Sequence, residues 1–119
     1  MAHNDLGIAY RLTGDLETCM KEYRRAIDLK PDEASYHYNL GYALVEMQDY
    51  KSAATELREA IRLKLGDPYV HYYLANTLKA LGQRQESIGE FREFLKLTQS
   101  QISGDPFIDK ANAAIRSTE

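Results

Sequence analysis

The chain has 119 residues, of which 44% are hydrophobic and 28% charged, and a formal net charge of −3. That length suits one compact folding unit, and the mild acidity argues against a nucleic-acid binder, which normally carries a basic stripe. No apolar run approaches the ~20 residues that span a bilayer. The N-terminal MAHNDLG has no basic segment and no long apolar stretch, so it does not read as a signal peptide. Cys19 is the single cysteine and cannot form an intrachain disulfide. A reducing compartment, the cytoplasm, is the expected location.

In chain order, the punctuation is that of paired helices. In LTGDLE, Gly14 can end a first helix and Asp15 can cap a second. LKPDEA closes this pair at Pro31 and Asp32. SYHYNLGYAL opens the next helix, and Asp49 in MQDYKS caps its partner. LGDPYV then offers Asp67 as a cap and Pro68 as a first helical residue. YVHYYLANTL follows, and LGQRQES keeps Gly82 but loses the acidic cap. Six helices of about a dozen residues result, each ~18–20 Å long.

The pairs are copies of one another. Subtracting 34 takes His71 to His37 and His3, Leu74 to Leu40 and Leu6, and Ala75 to Gly41 and Gly7. All three histidines of the protein thus share one place in one period. A following aromatic or leucine stands at Tyr10, Leu44 and Leu78. A small residue recurs on the second helix at Cys19, Ala53 and Ser87. Four residues on come Tyr23, Leu57 and Phe91, and then Ala26, Ala60 and Phe94. A closing proline is present only as Pro31, with Leu65 and Gln99 in its place later. Ser87, Phe94 and Gln99 make the third copy the least regular.

This period and these slots resemble the tetratricopeptide repeat, whose pattern is W-x2-L-G-x2-Y…A-x3-F…P. The resemblance covers residues 1–101 and implies an all-α, right-handed α-solenoid of three helix–turn–helix repeats, 1–33, 34–67 and 68–101. Small residues let paired helices approach, large ones interdigitate at ~8–10 Å between axes, and stacking supplies the core that no hairpin has alone. Residues 102–119 open with Asp105 and Pro106 as cap and first turn. Their apolar stripe of Phe107, Ile108, Ala111 and Ile115 predicts a helix that caps the third repeat. The first repeat has no equivalent cap.

Chemistry is not expected. Histidines one repeat apart lie on the order of 10 Å from each other, whereas a zinc ion needs each ligand atom within ~2.0–2.3 Å. The histidines therefore read as half-buried aromatics, with no metal. Cys19 reads as a small core residue. Phosphate loops, nucleophile elbows and cysteine pairs are all missing, so no enzyme activity and no cofactor are expected. The charge runs KEYRR, ELREAIR and EFREFLK read as solvated helix faces.

The tyrosines fall into two groups. Tyr10, Tyr23 and Tyr50 occupy core slots. Tyr36, Tyr38, Tyr42, Tyr69, Tyr72 and Tyr73 lie on first helices, on lines out of phase with the core line of His37, Leu40, Gly41 and Leu44, and should face away from the second helix of the pair. In the family, first helices line a concave peptide-binding groove. The resemblance therefore implies a groove built from Asp5, Ile8, Tyr38, Asn39, Tyr42, Glu46, Tyr69, Tyr72, Tyr73, Asn76 and Lys79. Tyrosine beside asparagine suits recognition of an extended peptide. The family's carboxylate clamp is not reproduced: Asn39 is kept, but Asn4, Ile8, Tyr69 and Tyr73 replace its other residues.

The expected function is non-catalytic recognition of a partner peptide or helix, as a scaffold or adaptor, with no nucleic acid and no membrane insertion. The alternatives are a self-associating homo-oligomer and the docking segment of a larger enzyme.

Overall fold

The computed structural model describes residues 2–98 and 106–118. Helices are α1 (Ala2–Thr13), α2 (Leu16–Leu29), α3 (Ala34–Glu46), α4 (Tyr50–Arg62), α5 (Tyr69–Ala80), α6 (Arg84–Thr98) and α7 (Pro106–Thr118). No strand occurs among the described residues. The chain divides into two compact units, Met1–Leu65 and Gly66–Glu119.

Most of the local signals act as expected. The Asp15 carboxylate accepts from the Thr18 amide at 3.2 Å, and Asp49 accepts from the Ser52 amide at 3.4 Å. Each supplies a partner that the first helical turn lacks. Gly14 and Gly82 end α1 and α5 at φ of 88° and 81°. Gln48 holds the same place in the period at φ 63° despite its side chain. Asp67 accepts from the Tyr69 amide at 2.9 Å, and Pro68 falls just before α5 rather than inside it. Asp32 does not cap α3; Glu33 holds that position without a side-chain bond. Asp105 and Gln99 lie outside the described residues.

In the first unit, α1 packs on α2, α2 on α3 and α3 on α4. The core joins Cys19 and Tyr23 of α2, Leu40, Ala43 and Leu44 of α3, and Ala53 of α4. Close approach depends on glycine. A Cβ built on Gly7 would lie 2.5 Å from the Tyr23 ring, and one on Gly41 would lie 2.8 Å from Leu57. These glycines are the small slots read from the sequence.

One core expectation fails. Tyr10 is 37% exposed and Leu6 is 46% exposed, whereas Leu44 and Leu40, one period later, are 2% and 3% exposed. The slot is the same and the neighbour differs: α2 lies against α3, and no described residue covers the corresponding face of α1 in that way.

In the second unit, α5 packs on α6 and α6 on α7. The predicted stripe of α7 is used: Ala111 is fully buried, with Phe107, Ile108, Ala114 and Ile115 packed around it. The irregular residues of the third copy acquire reasons. Ser87 donates to the Ala75 carbonyl at 2.9 Å, a bond between α6 and α5. Phe94 is fully buried, with its ring centroid 5.3 Å from that of Tyr69 and 5.4 Å from that of Tyr72.

Candidate functional site

The first helices of unit 1 carry a cleft of about 200 Å³ lined by Arg11, Tyr23, Tyr38, Asn39 and Tyr42. Its floor is set by the glycine at position 7. With no side chain there, the Tyr23 ring lies against α1 and is 1% exposed. Burial pushes the Tyr23 phenol up to about 12, and the neighbouring Cys19 adds to this. Burial also raises the Cys19 thiol, which stays a protonated core group.

The Arg11 guanidinium stands 5.2 Å from the centre of the Tyr42 ring, within cation–π range. It reaches Glu46 of α3 at 3.5 Å. Partial burial disfavours its charge, but Glu46 and the hydrogen bond to Tyr23 outweigh this and hold it firmly protonated. Asn39 donates to the Asn4 side-chain oxygen at 3.0 Å, tying α3 to α1 beside the cleft. The cleft therefore offers phenol faces, an amide and a guanidinium fork. These groups can stack on and hydrogen-bond to a ligand.

Of the groove residues expected from the sequence, Tyr38, Asn39 and Tyr42 line this cleft. Glu46 sits at its edge through Arg11, Asp5 is exposed on α1, and Ile8 is half-buried against the core of unit 1. Asn76 and Lys79 are exposed on α5, and Asn76 donates to the Tyr72 carbonyl at 3.2 Å.

Tyr72 is a correction. It was expected to face away from the second helix, but it is 8% exposed, with ring centroids 5.9 Å from Phe91 of α6 and 5.0 Å from Phe107 of α7. Tyr69 also meets Phe107, at 5.1 Å, and Tyr73 packs edge-on to Tyr72 at 5.4 Å. Helix α7 supplies a neighbour that the 34-residue pattern does not encode. Tyr36 is buried as well.

Sequence reasoning missed Arg11. The signal was present: the line through Tyr38, Tyr42 and Val45, shifted back by one period, passes through Asn4, Ile8 and Arg11. It also missed the use made of the histidines. His3, His37 and His71 each bring Nδ1 to a glutamate 19 residues on, Glu22 at 2.6 Å, Glu56 at 2.8 Å and Glu90 at 2.6 Å. The glutamates are themselves one period apart. Each pair pins the first helix of a hairpin to its second. Among the described residues, no group of three His, Cys, Asp or Glu side chains could hold a metal ion. No described helix is long and apolar enough to cross a membrane.

Models of the tetratricopeptide repeat match residues 7–48 and 34–67. Together these span residues 7–67, just over half of the 119-residue chain. The chain belongs to the tetratricopeptide repeat family. No curated protein sequence matches it. Among solved structures, it is similar to the Arabidopsis OM64 tetratricopeptide repeat domain, with 18% identity, coverage of 99% of this chain and 94% of that one, and a TM-score of 0.88. It is similar to the second such domain of human RPAP3, solved with an HSP70 peptide, at 21% identity, 98% and 91% coverage and a TM-score of 0.83. It is also similar to the Yersinia enterocolitica type III secretion chaperone SycD, solved with a peptide of the translocator YopD, at 14% identity, 98% and 89% coverage and a TM-score of 0.90. These likenesses establish the all-α repeat fold.

Proposed function

We propose that this chain is a non-catalytic protein-interaction module and that the unit 1 cleft takes an extended segment of a partner protein. The carrying observation is the cleft itself: Tyr38, Asn39 and Tyr42 of α3 face Arg11 of α1 across about 200 Å³. That volume is below the ~300–1,000 Å³ of small-molecule pockets. It suits one or two side chains of a bound peptide. Asp5, Ile8 and Glu46 are the flanking contacts in this reading, and on α5 Tyr73, Asn76 and Lys79 are further candidates. The peptide-bound states of SycD and RPAP3 support the class of ligand.

A phage-displayed peptide library provides the test. Selected peptides should bind the wild-type chain and lose at least tenfold in affinity for Tyr42→Ala and Arg11→Met, while the helical circular dichroism of both variants is retained. Equal binding to wild type and both variants would place recognition elsewhere. Self-association is the second reading, favoured by the exposed Leu6 and Tyr10 of α1. Light scattering separates the two, because a monomer mass held across concentration leaves only the peptide reading.

A further inference from the structure

The three His–Glu pairs share a register, but His37 has more around it. Its Nδ1 lies 2.8 Å from Glu56 Oε1 on α4, and its Nε2 lies 2.7 Å from the Pro31 carbonyl oxygen in the linker between α2 and α3. Both partners are acceptors in their ordinary states: a carboxylate and a backbone carbonyl. A neutral imidazole has a single N–H and can satisfy one of them. The other nitrogen would then point its lone pair at an oxygen, in a site where the residue is 7% exposed. An unsatisfied arrangement of that kind is costly when buried. An imidazolium donates to both. Between the two bases, the imidazole is intrinsically the stronger, with reference values of about 6.5 for His and about 4.3 for Glu, so the proton belongs on the ring.

We propose that His37 is held as an imidazolium at neutral pH, and that loss of its proton releases α3 from the α2–α3 linker. The cation forms a clasp joining three segments: the linker at Pro31, α3, and α4 at Glu56. The charges acting on the ring from α4 are those of Glu56 and Glu59, and Glu59 is itself hydrogen-bonded to Arg62. On α2 the buried residues are Cys19, Glu22, Tyr23 and Ala26; burial keeps the thiol and the phenol neutral, and the Glu22 carboxylate is taken up by His3 and Arg25. Burial alone disfavours the imidazolium, but the bonds to Glu56 and Pro31 and the charges of Glu56 and Glu59 outweigh it and raise the histidine above its usual value.

The clasp sits at a useful place. Tyr38, Asn39 and Tyr42 follow His37 on the same helix and form one wall of the cleft. Releasing the start of α3 loosens that wall. The regulatory meaning rests on the proposed peptide site, but the protonation state does not, and the experiment below uses no ligand.

The sign of the pH effect follows from linkage. Between the unfolded histidine value of ~6.5 and the raised folded value, the native state binds more protons than the unfolded state. Stability is therefore fully present below ~6.5 and falls as pH rises, with the unfolding equilibrium constant growing by up to about tenfold per pH unit in that window.

The test is a long-range 1H–15N NMR titration of the full chain from pH 5.5 to 9, together with urea unfolding of wild type and His37→Gln over the same range. The expected result is a doubly protonated His37 at pH 7 that titrates above the usual histidine value. Backbone amides of residues 32–42 should shift with the same midpoint, and the pH slope of stability should flatten in His37→Gln. A neutral, single-tautomer His37 at pH 7 would overturn the proposal without any variant having to fold. A titrating His37 with stationary amides at residues 32–42 would overturn the release of α3, and parallel stability curves for wild type and His37→Gln would overturn the linkage.

Discussion

Gly7 of α1 lies flat against the ring of Tyr23 on α2, so close that a Cβ on the glycine would stand 2.5 Å from two ring carbons. This contact sets both the approach of the first hairpin and the floor of the cleft above it. Gly7→Ala must therefore displace a ring that is 1% exposed and has no open space to enter. We expect a loss of about 1–3 kcal/mol, with Gly41→Ala behaving alike through Leu57. Gly89→Ala is the control: nothing lies within 4 Å of its Cβ, and α6 should gain about 0.5–1 kcal/mol. Urea unfolding checks all three, and a neutral Gly7→Ala would contradict the packing.

Tyr42 and Tyr72 hold related places in adjacent repeats yet should respond oppositely to truncation. Tyr72→Ala removes the centre of the Phe91, Phe94 and Phe107 cluster and should cost about 3–5 kcal/mol. Tyr42→Ala removes a half-buried ring whose contacts include Arg11, should cost clearly less than Tyr72→Ala, and should act chiefly on peptide affinity. Similar melting temperatures for the two variants would refute this division.

Gln48 adopts the left-handed conformation, at φ 63°, where the first and third repeats place Gly14 and Gly82. Gln48→Gly should raise stability by about 0.5–1 kcal/mol, because the side chain is strained there and glycine is not. The denaturation midpoint in urea should rise with an unchanged slope. A lower midpoint would mean that Gln48 makes a contact worth more than the strain.

Asp15 and Asp49 cap α2 and α4 through single hydrogen bonds to Thr18 and Ser52. Alanine at either site should cost about 1 kcal/mol. The double variant should show the sum within about 0.5 kcal/mol, since the caps serve different helices and share no partner. Thermal melts of the singles and the double decide it, and a strongly sub-additive double would show that the helix ends are coupled.

The repeat, the caps and the close helix contacts were legible in the sequence because each depends on a residue and its near neighbours. Gly14 ends a helix, Asp15 starts one, and Gly7 and Gly41 admit a large partner, wherever the hairpin stands. Arg11 was legible in principle, one period before Val45, and so were Glu22, Glu56 and Glu90, which form a second column in step with the histidines.

Other features had no local signature. Tyr10 and Leu44 share a slot, yet one is exposed and the other buried, because burial is set by the helix on the far side and not by the slot. Tyr72 reads as a surface tyrosine until α7 brings Phe107 against it. His37 reads as an aromatic filler until the linker turns the Pro31 carbonyl onto one nitrogen and α4 brings Glu56 to the other. The period, the helix ends and which pairs of helices can touch follow from backbone preference and side-chain size, and so could be read from the residues alone. Which apolar residues are covered, which histidine meets two acceptors and which tyrosines line a cleft came from the packed fold, since solvent and charge depend on everything packed around a residue.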